Sequence, residues 1–274
     1  MNNEIGVMAS IKADGSTLSY LAEFGLKVCQ IVGWKEELWT EAMADALRRQ
    51  SQDLGLRMTS LWAGWPGPAA WNFVDGPATL GLVPPQYRRQ RVECLKRAAR
   101  FAHRAALPAI VTHLGFIPEN PRDAAFAEVV AAVREVALAL KDLGLEFWFE
   151  TGQETPVTML RLMQEVGTGN LGLNLDPANL ILYGKANPID SLDVFGSQVR
   201  SVHAKDGLYP TDPMKLGREV KVGQGRVRFP EFVGRLGEIG YTGAFIIERE
   251  ISGPEQRRDI ADTVRYLEQL LKDA

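Results

Sequence analysis

Short apolar runs alternate along the chain with stretches in which apolar residues recur every three or four positions. Runs this short are typical of strands buried on both faces of a parallel sheet. The run at 145–150 illustrates the pattern, because a glycine that ends a helical stretch comes directly before it. We predict strands at residues 4–9, 26–32, 57–63, 108–113, 145–150, 171–176, 199–204 and 244–249.

The stretches between these runs have the period of an amphipathic helix. In residues 122–142 the apolar positions form one stripe, which Asn120-Pro121 precedes as a predicted N-cap and first-turn proline and Gly144 follows. Gly253-Pro254 opens the last helix, whose predicted inward positions are Ile260, Val264, Leu267 and Leu271. Other helices are predicted near 38–52, 87–105, 156–166, 187–196 and 229–238.

Eight strands alternating with about eight helices predict an α/β fold, a single (β/α)8 TIM barrel. A doubly wound open sheet is the alternative, but it usually has a glycine-rich first turn, which the sequence MNNEIGVMASIKADGS lacks. No Pro-rich, Ser-rich or charged linker divides the chain, so we expect residues 1–274 to form one domain.

Composition narrows the class of partner. The formal net charge is -3 and the isoelectric point is near 5.8, so no excess positive charge indicates nucleic acid. No apolar run is long enough to cross a bilayer, so no membrane partner is expected. The two cysteines, Cys29 and Cys94, lack the spacing of a metal pair and are expected as core thiols. We therefore expect a cytoplasmic protein.

Four successive predicted strands end in a possible metal ligand: Glu150, Asp176, His203 and Glu248. Each of these residues alone has an ordinary explanation as a cap, an ion-pair partner or a core side chain. Together they would converge at the carboxyl-terminal rim of a barrel, where a divalent cation would relieve the repulsion between three carboxylates. The set suits Mn2+, which we favour, with Mg2+, Co2+ or Zn2+ as alternatives and Fe2+ also open.

Other polar and aromatic residues are predicted at the same face. His113 ends a strand and is favoured as a substrate contact over a metal ligand, although a structural hydrogen bond is an alternative. Two long segments, 62–84 and 204–227, follow strands, and long loops there usually serve function. Tryptophans of the first segment can contact a substrate or cap the barrel mouth. The predicted substrate contacts are His113, Trp65, Glu154, Asn179, Lys205 and Asp206.

At these positions the sequence resembles the sugar phosphate isomerase/epimerase superfamily, the xylose isomerase-like TIM barrels. The matching motifs are ETGQET, LNLDPANLILYG, VHAKDG, VGQGRV and IIEREI. The resemblance implies a divalent metal held by the four residues named above, with Glu150 and Glu248 as the acid/base pair. Asn179 and Tyr209 stand near places where ketose epimerases tend to have a His and an Arg.

The implied activity is isomerisation or epimerisation of a keto-sugar through an enediolate. Loss of a β-substituent from the same intermediate would make the enzyme a lyase or dehydratase acting on a keto-sugar, keto-inositol or 3-keto-glycoside. A non-catalytic carbohydrate-binding barrel is the alternative from another class. The expected partner is a small sugar, and a homo-oligomer is left open because barrels of this type often pair.

Overall fold

The computed structural model describes residues 1–273, and within them eight parallel strands close into a barrel in the order β1-β10-β7-β6-β5-β4-β3-β2. Each predicted strand is confirmed to within two residues at both ends. The barrel strands are β1 (Ile5–Ser10), β2 (Val28–Gly33), β3 (Arg57–Ala63), β4 (Ala109–His113), β5 (Glu146–Glu150), β6 (Leu171–Leu175), β7 (Val199–Ala204) and β10 (Phe245–Ile247).

Helices cover the outside of the barrel. Within residues 1–273 they are α1 (Glu41–Asp53), α2 (Gly76–Thr79), α3 (Pro85–Arg104), α4 (Ala124–Lys141), α5 (Pro156–Val166), α6 (Pro177–Leu182), α7 (Pro188–Phe195), α8 (Phe229–Glu238) and α9 (Pro254–Asp273). The predicted cap at Asn120 is wrong, because α4 begins later and the side chain of Asp123 accepts from the Ala125 amide. The short helices α2 and α6 and the 3-10 turn Leu18–Phe24 were not predicted.

The two faces of the sheet carry different residues. Outward side chains such as Phe147 and Phe149 pack under the helices in the main core. Inward side chains alternate with them, so Trp148 lies inside the barrel and packs with Val111 and Trp62. This two-residue period places Glu150, Asp176, His203 and Glu248 on the inner face, in phase with the inward residues of their strands and above the packed interior.

The barrel interior also contains a hydrogen-bonded polar group. The Gln30 amide nitrogen donates to Ser60 Oγ at 2.9 Å and to Asn174 Oδ1 at 3.2 Å, and all three residues are buried. Gln30 lies inside the apolar run of β2, and its pairing satisfies groups that would be costly to bury alone.

Two loops at the carboxyl-terminal face have structure of their own. The segment 204–227 contains an antiparallel hairpin of β8 (Asp206–Leu208) and β9 (Arg218–Val220). The segment that follows β3 is held by Arg91 of α3, which donates to the carbonyl oxygens of Pro66, Pro68 and Gly81 at 3.2, 2.8 and 2.7 Å.

Within the described range, no helix has both the length and the apolar composition that crossing a membrane requires. The cytoplasmic location stays a prediction.

Candidate metal centre and active site

The four predicted ligands, which we call the ligand cluster, come together at the carboxyl ends of adjacent strands. Glu150, Asp176, His203 and Glu248 belong to or directly follow β5, β6, β7 and β10, which are neighbours in the barrel. One ligand atom from each residue lies within 4.8 Å of the corresponding atoms of the others. Parallel strands in register bring their carboxyl ends to the same rim, which explains the convergence of residues far apart in sequence.

His203 has one ring nitrogen bound and one facing the acids. Its Nε2 lies 2.8 Å from Gln30 Oε1, and because the Gln30 amide nitrogen already donates elsewhere, Nε2 is the protonated nitrogen. Its Nδ1 lies 3.0 Å from Glu248 Oε2 and 3.3 Å from Glu150 Oε1. Nδ1 therefore faces the carboxylates, which is the position from which a neutral histidine would bind a metal.

The two oxygens of the Asp176 carboxylate likewise differ in their partners. One oxygen, Oδ1, accepts from the Asn179 amide at 2.8 Å and caps α6. The other, Oδ2, is buried and accepts no hydrogen bond from any residue in 1–273, and His203 Nδ1 is likewise buried without one. Two orphaned ligand atoms at the centre of the cluster are costly unless a further group satisfies them. The donor set therefore fits a divalent cation held by the ligand cluster.

Glu150 has an unusually complete set of partners. Its Oε2 accepts from the indole N–H of Trp62, and its Oε1 accepts from Asn179 Nδ2 at 3.3 Å and lies 3.3 Å from His113 Nε2. Burial alone would raise the pKa of Glu150, but the charges of His113 and His203 outweigh it and hold this pKa well below its ordinary value. Glu150 is thus an ionised carboxylate in the protein interior.

Lys205 neutralises part of this negative charge. Its Nζ donates to Glu250 Oε1 at 2.8 Å, to Glu248 Oε2 at 3.3 Å and to Asn179 Oδ1 at 3.3 Å. Burial would lower the pKa of Lys205, but the carboxylates of Glu248, Glu250 and Asp176 raise it well above its ordinary value. The ammonium group is therefore charged, and it holds the side chains of one wall of the site in place.

A cavity of about 390 Å³, which we call the mouth cavity, opens above the ligand cluster. Its lining includes Glu150, Glu248, His113 and Asn179, so four of the residues predicted from the sequence face the same space. The cavity size is in the range of small-molecule binding sites. Glu150 ends β5 and Glu248 follows β10, two strands that β6 and β7 separate, and both carboxylates line the cavity.

Four tryptophans, Trp34, Trp62, Trp65 and Trp71, form an aromatic wall on the other side. Trp34, Trp62 and Trp71 line the mouth cavity. Trp65, the predicted substrate contact, lies behind them, with its ring 5.6 Å from that of Trp34 and 6.1 Å from that of Trp71. The Arg91 guanidinium stacks on the Trp65 ring at 5.3 Å, so Trp65 supports the wall from the protein side.

Three other predicted substrate contacts, Lys205, Asp206 and Glu154, lie outside the cavity lining. Asp206 is buried, and its carboxylate accepts backbone N–H groups from Gly207, Gly223, Gly225 and Val227 at 2.8 to 3.1 Å. These bonds fold the loop after β9, so Asp206 holds that loop in place, and its contact with a substrate hydroxyl stays a prediction.

Glu154 is also buried behind the cavity. Its Oε1 accepts from the Gly152 amide at 3.3 Å, and its Oε2 has no hydrogen-bond partner in the described part of the chain. Burial raises the pKa of Glu154 to about 7, against the charge of nearby His113, which lowers it. A direct substrate contact by Glu154 stays a prediction.

Sequence reasoning missed several residues of the site. Gln30 orients His203, Trp34 lines the cavity, and Glu250 and Tyr183 complete its rim. Trp34 directly follows β2, and residues at the carboxyl ends of other strands were the ones that the sequence analysis assigned to the site. Gln30 could also have been recognised from the sequence, since a polar residue inside an apolar strand requires a buried hydrogen-bond partner.

Comparison with known sequences gives a family match over most of the chain. The chain matches the family model of the xylose isomerase-like TIM barrel over residues 18–270. It is also 26% identical over 174 residues to an uncharacterized protein of Methanocaldococcus jannaschii. That match covers 60% of this chain and 58% of the curated relative, so it leaves a large part of the relative's length unmatched.

Comparison with solved structures gives two informative matches. A xylose isomerase domain protein from Planctomyces limnophilus superposes with a TM-score of 0.93 at 33% identity, covering 98% of each chain. An L-ribulose 3-epimerase superposes with a TM-score of 0.76 at 16% identity, covering 99% of this chain and 95% of the other. The second match is a likeness of fold. With the family match over most of its length, the chain belongs to the xylose isomerase-like TIM barrel family.

Proposed function

We propose that the protein is a divalent-metal-dependent sugar isomerase or epimerase that acts on a keto-sugar through an enediolate. The observation that carries this proposal is the pair Glu150 and Glu248, two carboxylates that line one cavity and belong to a ligand set that fits a cation. A binding protein has no need of two bases so placed. The fold shared with an L-ribulose 3-epimerase supports the same class of activity.

The ligand cluster would hold the cation, which we propose to be Mn2+. When bound, the cation supplies Lewis-acid stabilisation of the negative charge that develops on the substrate oxygens. His203 is prepared for this role because Gln30 fixes its Nε2 proton and leaves Nδ1 free.

Glu150 and Glu248 would move the protons. One carboxylate removes a proton from the carbon next to the carbonyl group, and the other returns a proton from the opposite side. Return to the same carbon gives an epimer, and return to the neighbouring carbon gives an isomer. The indole of Trp62 and the amide of Asn179 fix the Glu150 carboxylate by hydrogen bonds, which orients it toward the substrate.

Other side chains would bind the sugar and exclude water. His113 Nδ1 is buried without a hydrogen-bond partner in residues 1–273 and would accept from or donate to a substrate hydroxyl. Asn179 and Lys205 present further polar groups on the same side. The aromatic wall would cover the sugar and lower the local water content, which strengthens every charge interaction in the site.

The test is metal analysis followed by a panel of keto-sugars incubated in deuterated water with the metal-loaded protein. Solvent deuterium in an intact sugar, detected by NMR, is the expected result. An unsaturated product would instead establish the lyase or dehydratase. Binding without exchange after full metal loading would establish a non-catalytic carbohydrate-binding barrel. The cytoplasmic setting and the homo-oligomer remain part of the proposal and are tested separately by fractionation and light scattering.

A further inference from the structure

The mouth cavity is lined by Glu150 and Glu248 of the ligand cluster and also by a partly exposed indole surface. Trp34 and Trp71 form this surface, and they are 44% and 39% exposed. We propose that it is a second sugar subsite and that the substrate is a neutral glycoside of a keto-sugar, with one ring at the ligand cluster and the next ring on Trp34. This inference rests on the proposed function and names its substrate class.

The inner and outer parts of the aromatic wall are adjacent. Trp62 lies at the inner end, where its N–H binds the Glu150 carboxylate, so a ring that reacts must lie against Trp62 and His113. The Trp34 ring centroid is 4.9 Å from that of Trp62, at the next position outward. A sugar ring joined to the reacting ring by one glycosidic bond therefore reaches Trp34. Pyranose faces carry C–H groups that pack on the large apolar surface of an indole.

The Trp34 ring is held in position although nearly half of it is exposed. It contacts the rings of Trp65 at 5.6 Å and Trp71 at 6.5 Å, in addition to Trp62. It also lies flat against the backbone of Gly64, where an added Cβ would stand 2.9 Å from Trp34 Cδ2. An indole that is already immobilised loses little conformational freedom when a ligand packs on it, which favours a preformed subsite.

The charges around the cavity exclude a phosphorylated substrate. The ionisable groups of the lining are His113 and the carboxylates of Glu150, Glu248 and Glu250, and among residues 1–273 no Lys or Arg belongs to that lining. The ammonium of Lys205 is not part of the lining and forms ion pairs with three carboxylates. A phosphate on the part of the sugar away from the ligand cluster would meet Glu250 with no Lys or Arg in the described lining to pair with it, whereas a neutral sugar ring carries no such charge.

The experiment compares two ligands that differ by the second ring. Methyl 3-keto-α-D-glucopyranoside and 3-keto-trehalose are titrated by calorimetry into the Mn2+-loaded protein. We expect the disaccharide to bind about tenfold more tightly. Trp34→Ala should reduce this ratio to about one, and Trp34→Phe, which keeps an aromatic ring, should retain most of it. Gly64→Ala should also reduce the ratio, because its Cβ displaces the Trp34 ring.

Leu138→Ala is the matched control, since Leu138 is an exposed apolar side chain on the outer helix α4. Thermal midpoints verify that every variant is folded. Equal affinities in the wild type, no detectable binding of either ligand, or an unchanged ratio in Trp34→Ala would overturn the second subsite. If free keto-sugars still exchanged deuterium in that case, the second subsite would be refuted and the proposed function would still hold. If the metal-loaded wild-type protein exchanged deuterium into none of the keto-sugars of the panel, the proposed function itself would be refuted.

Discussion

The two sides of the barrel mouth are built differently. On one side the acids and the imidazole of the ligand cluster are the residues at the ends of β5, β6, β7 and β10. On the other side the aromatic wall takes Trp34 and Trp62 from the region of β2 and β3, and Trp65 and Trp71 from the loop that follows. Side chains at strand ends are placed by the barrel backbone, whereas loop side chains depend on the path of the loop.

The difference extends to what holds each side. Hydrogen bonds from the barrel interior fix the ligand cluster, through Gln30 and its partners. One side chain, Arg91, holds the aromatic loop by donating to three backbone carbonyls, and burial lowers the pKa of Arg91 to about 10, so it stays charged at neutral pH. We therefore propose that the ligand cluster carries the chemistry and that the aromatic wall, which sequence change alters more easily, determines substrate choice.

The largest effect is expected from the acid/base pair on the rigid side. Glu150→Gln or Glu248→Gln should lower the rate of deuterium exchange by about 10²–10⁴-fold, because an amide cannot move the proton. Glu146→Gln is the matched control, since Glu146 lies at the other end of the same strand and is half exposed. Exchange at the wild-type rate in the Glu150 or Glu248 variant would remove that residue from the mechanism.

The rigid side was also the part that the sequence predicted best. Each strand was recognisable as an apolar run, and Glu150, Asp176, His203 and Glu248, at or near the ends of four of them, were therefore expected to converge at the barrel rim. Glu150 and His203 could be assigned to one site without any knowledge of distances, because closure of the barrel brings the strand ends together. The structure adds the free atoms, His203 Nδ1 and Asp176 Oδ2, which the sequence cannot show.

The loop side could not be predicted to the same depth. Trp65 and Asp206 follow strands, yet the path of the loops places Trp65 at the back of the aromatic wall, away from the cavity lining, and turns Asp206 toward backbone amides. The strands β8 and β9 have three residues each, too few for an alternating pattern to appear. Trp34 was missed because its neighbours Trp62 and Trp71 are distant in sequence, and their meeting depends on strand pairing and loop path.

Loss of a direct ligand should have the next largest effect. His203→Ala should weaken Mn2+ binding by more than about 100-fold, since it removes a donor and leaves three carboxylates less well oriented. Elemental analysis of the purified variant measures the retained metal. His103→Ala is the matched control, because His103 is exposed on α3 and its Nδ1 lies 3.0 Å from the Leu143 carbonyl oxygen. Full metal occupancy in His203→Ala would exclude His203 as a ligand.

The partner of that histidine should matter less. Gln30→Leu removes the acceptor that fixes the Nε2 proton of His203, and we expect Mn2+ affinity to fall by about 10–100-fold. Gln30→Glu keeps an acceptor at that point and should retain more affinity than Gln30→Leu. Titration followed by electron paramagnetic resonance measures both. Gln52→Leu, at an exposed position of α1, controls for the substitution itself, and equal affinities in Gln30→Leu and wild type would refute the positioning role.

The smallest effect is expected from Trp62, which contacts both the aromatic wall and the ligand cluster. Trp62 packs against Trp34 through its ring and donates its N–H to Glu150, so Trp62→Phe removes the hydrogen bond and keeps an aromatic surface. We expect kcat for exchange to fall about tenfold while the affinity ratio for the two glycosides is preserved. Trp148→Phe is the matched control, because the Trp148 indole also donates to a glutamate of β5, Glu146, but away from the ligand cluster. A lost affinity ratio with unchanged kcat would show that Trp62 serves the aromatic wall alone, since its bond to Glu150 would then contribute nothing to proton transfer.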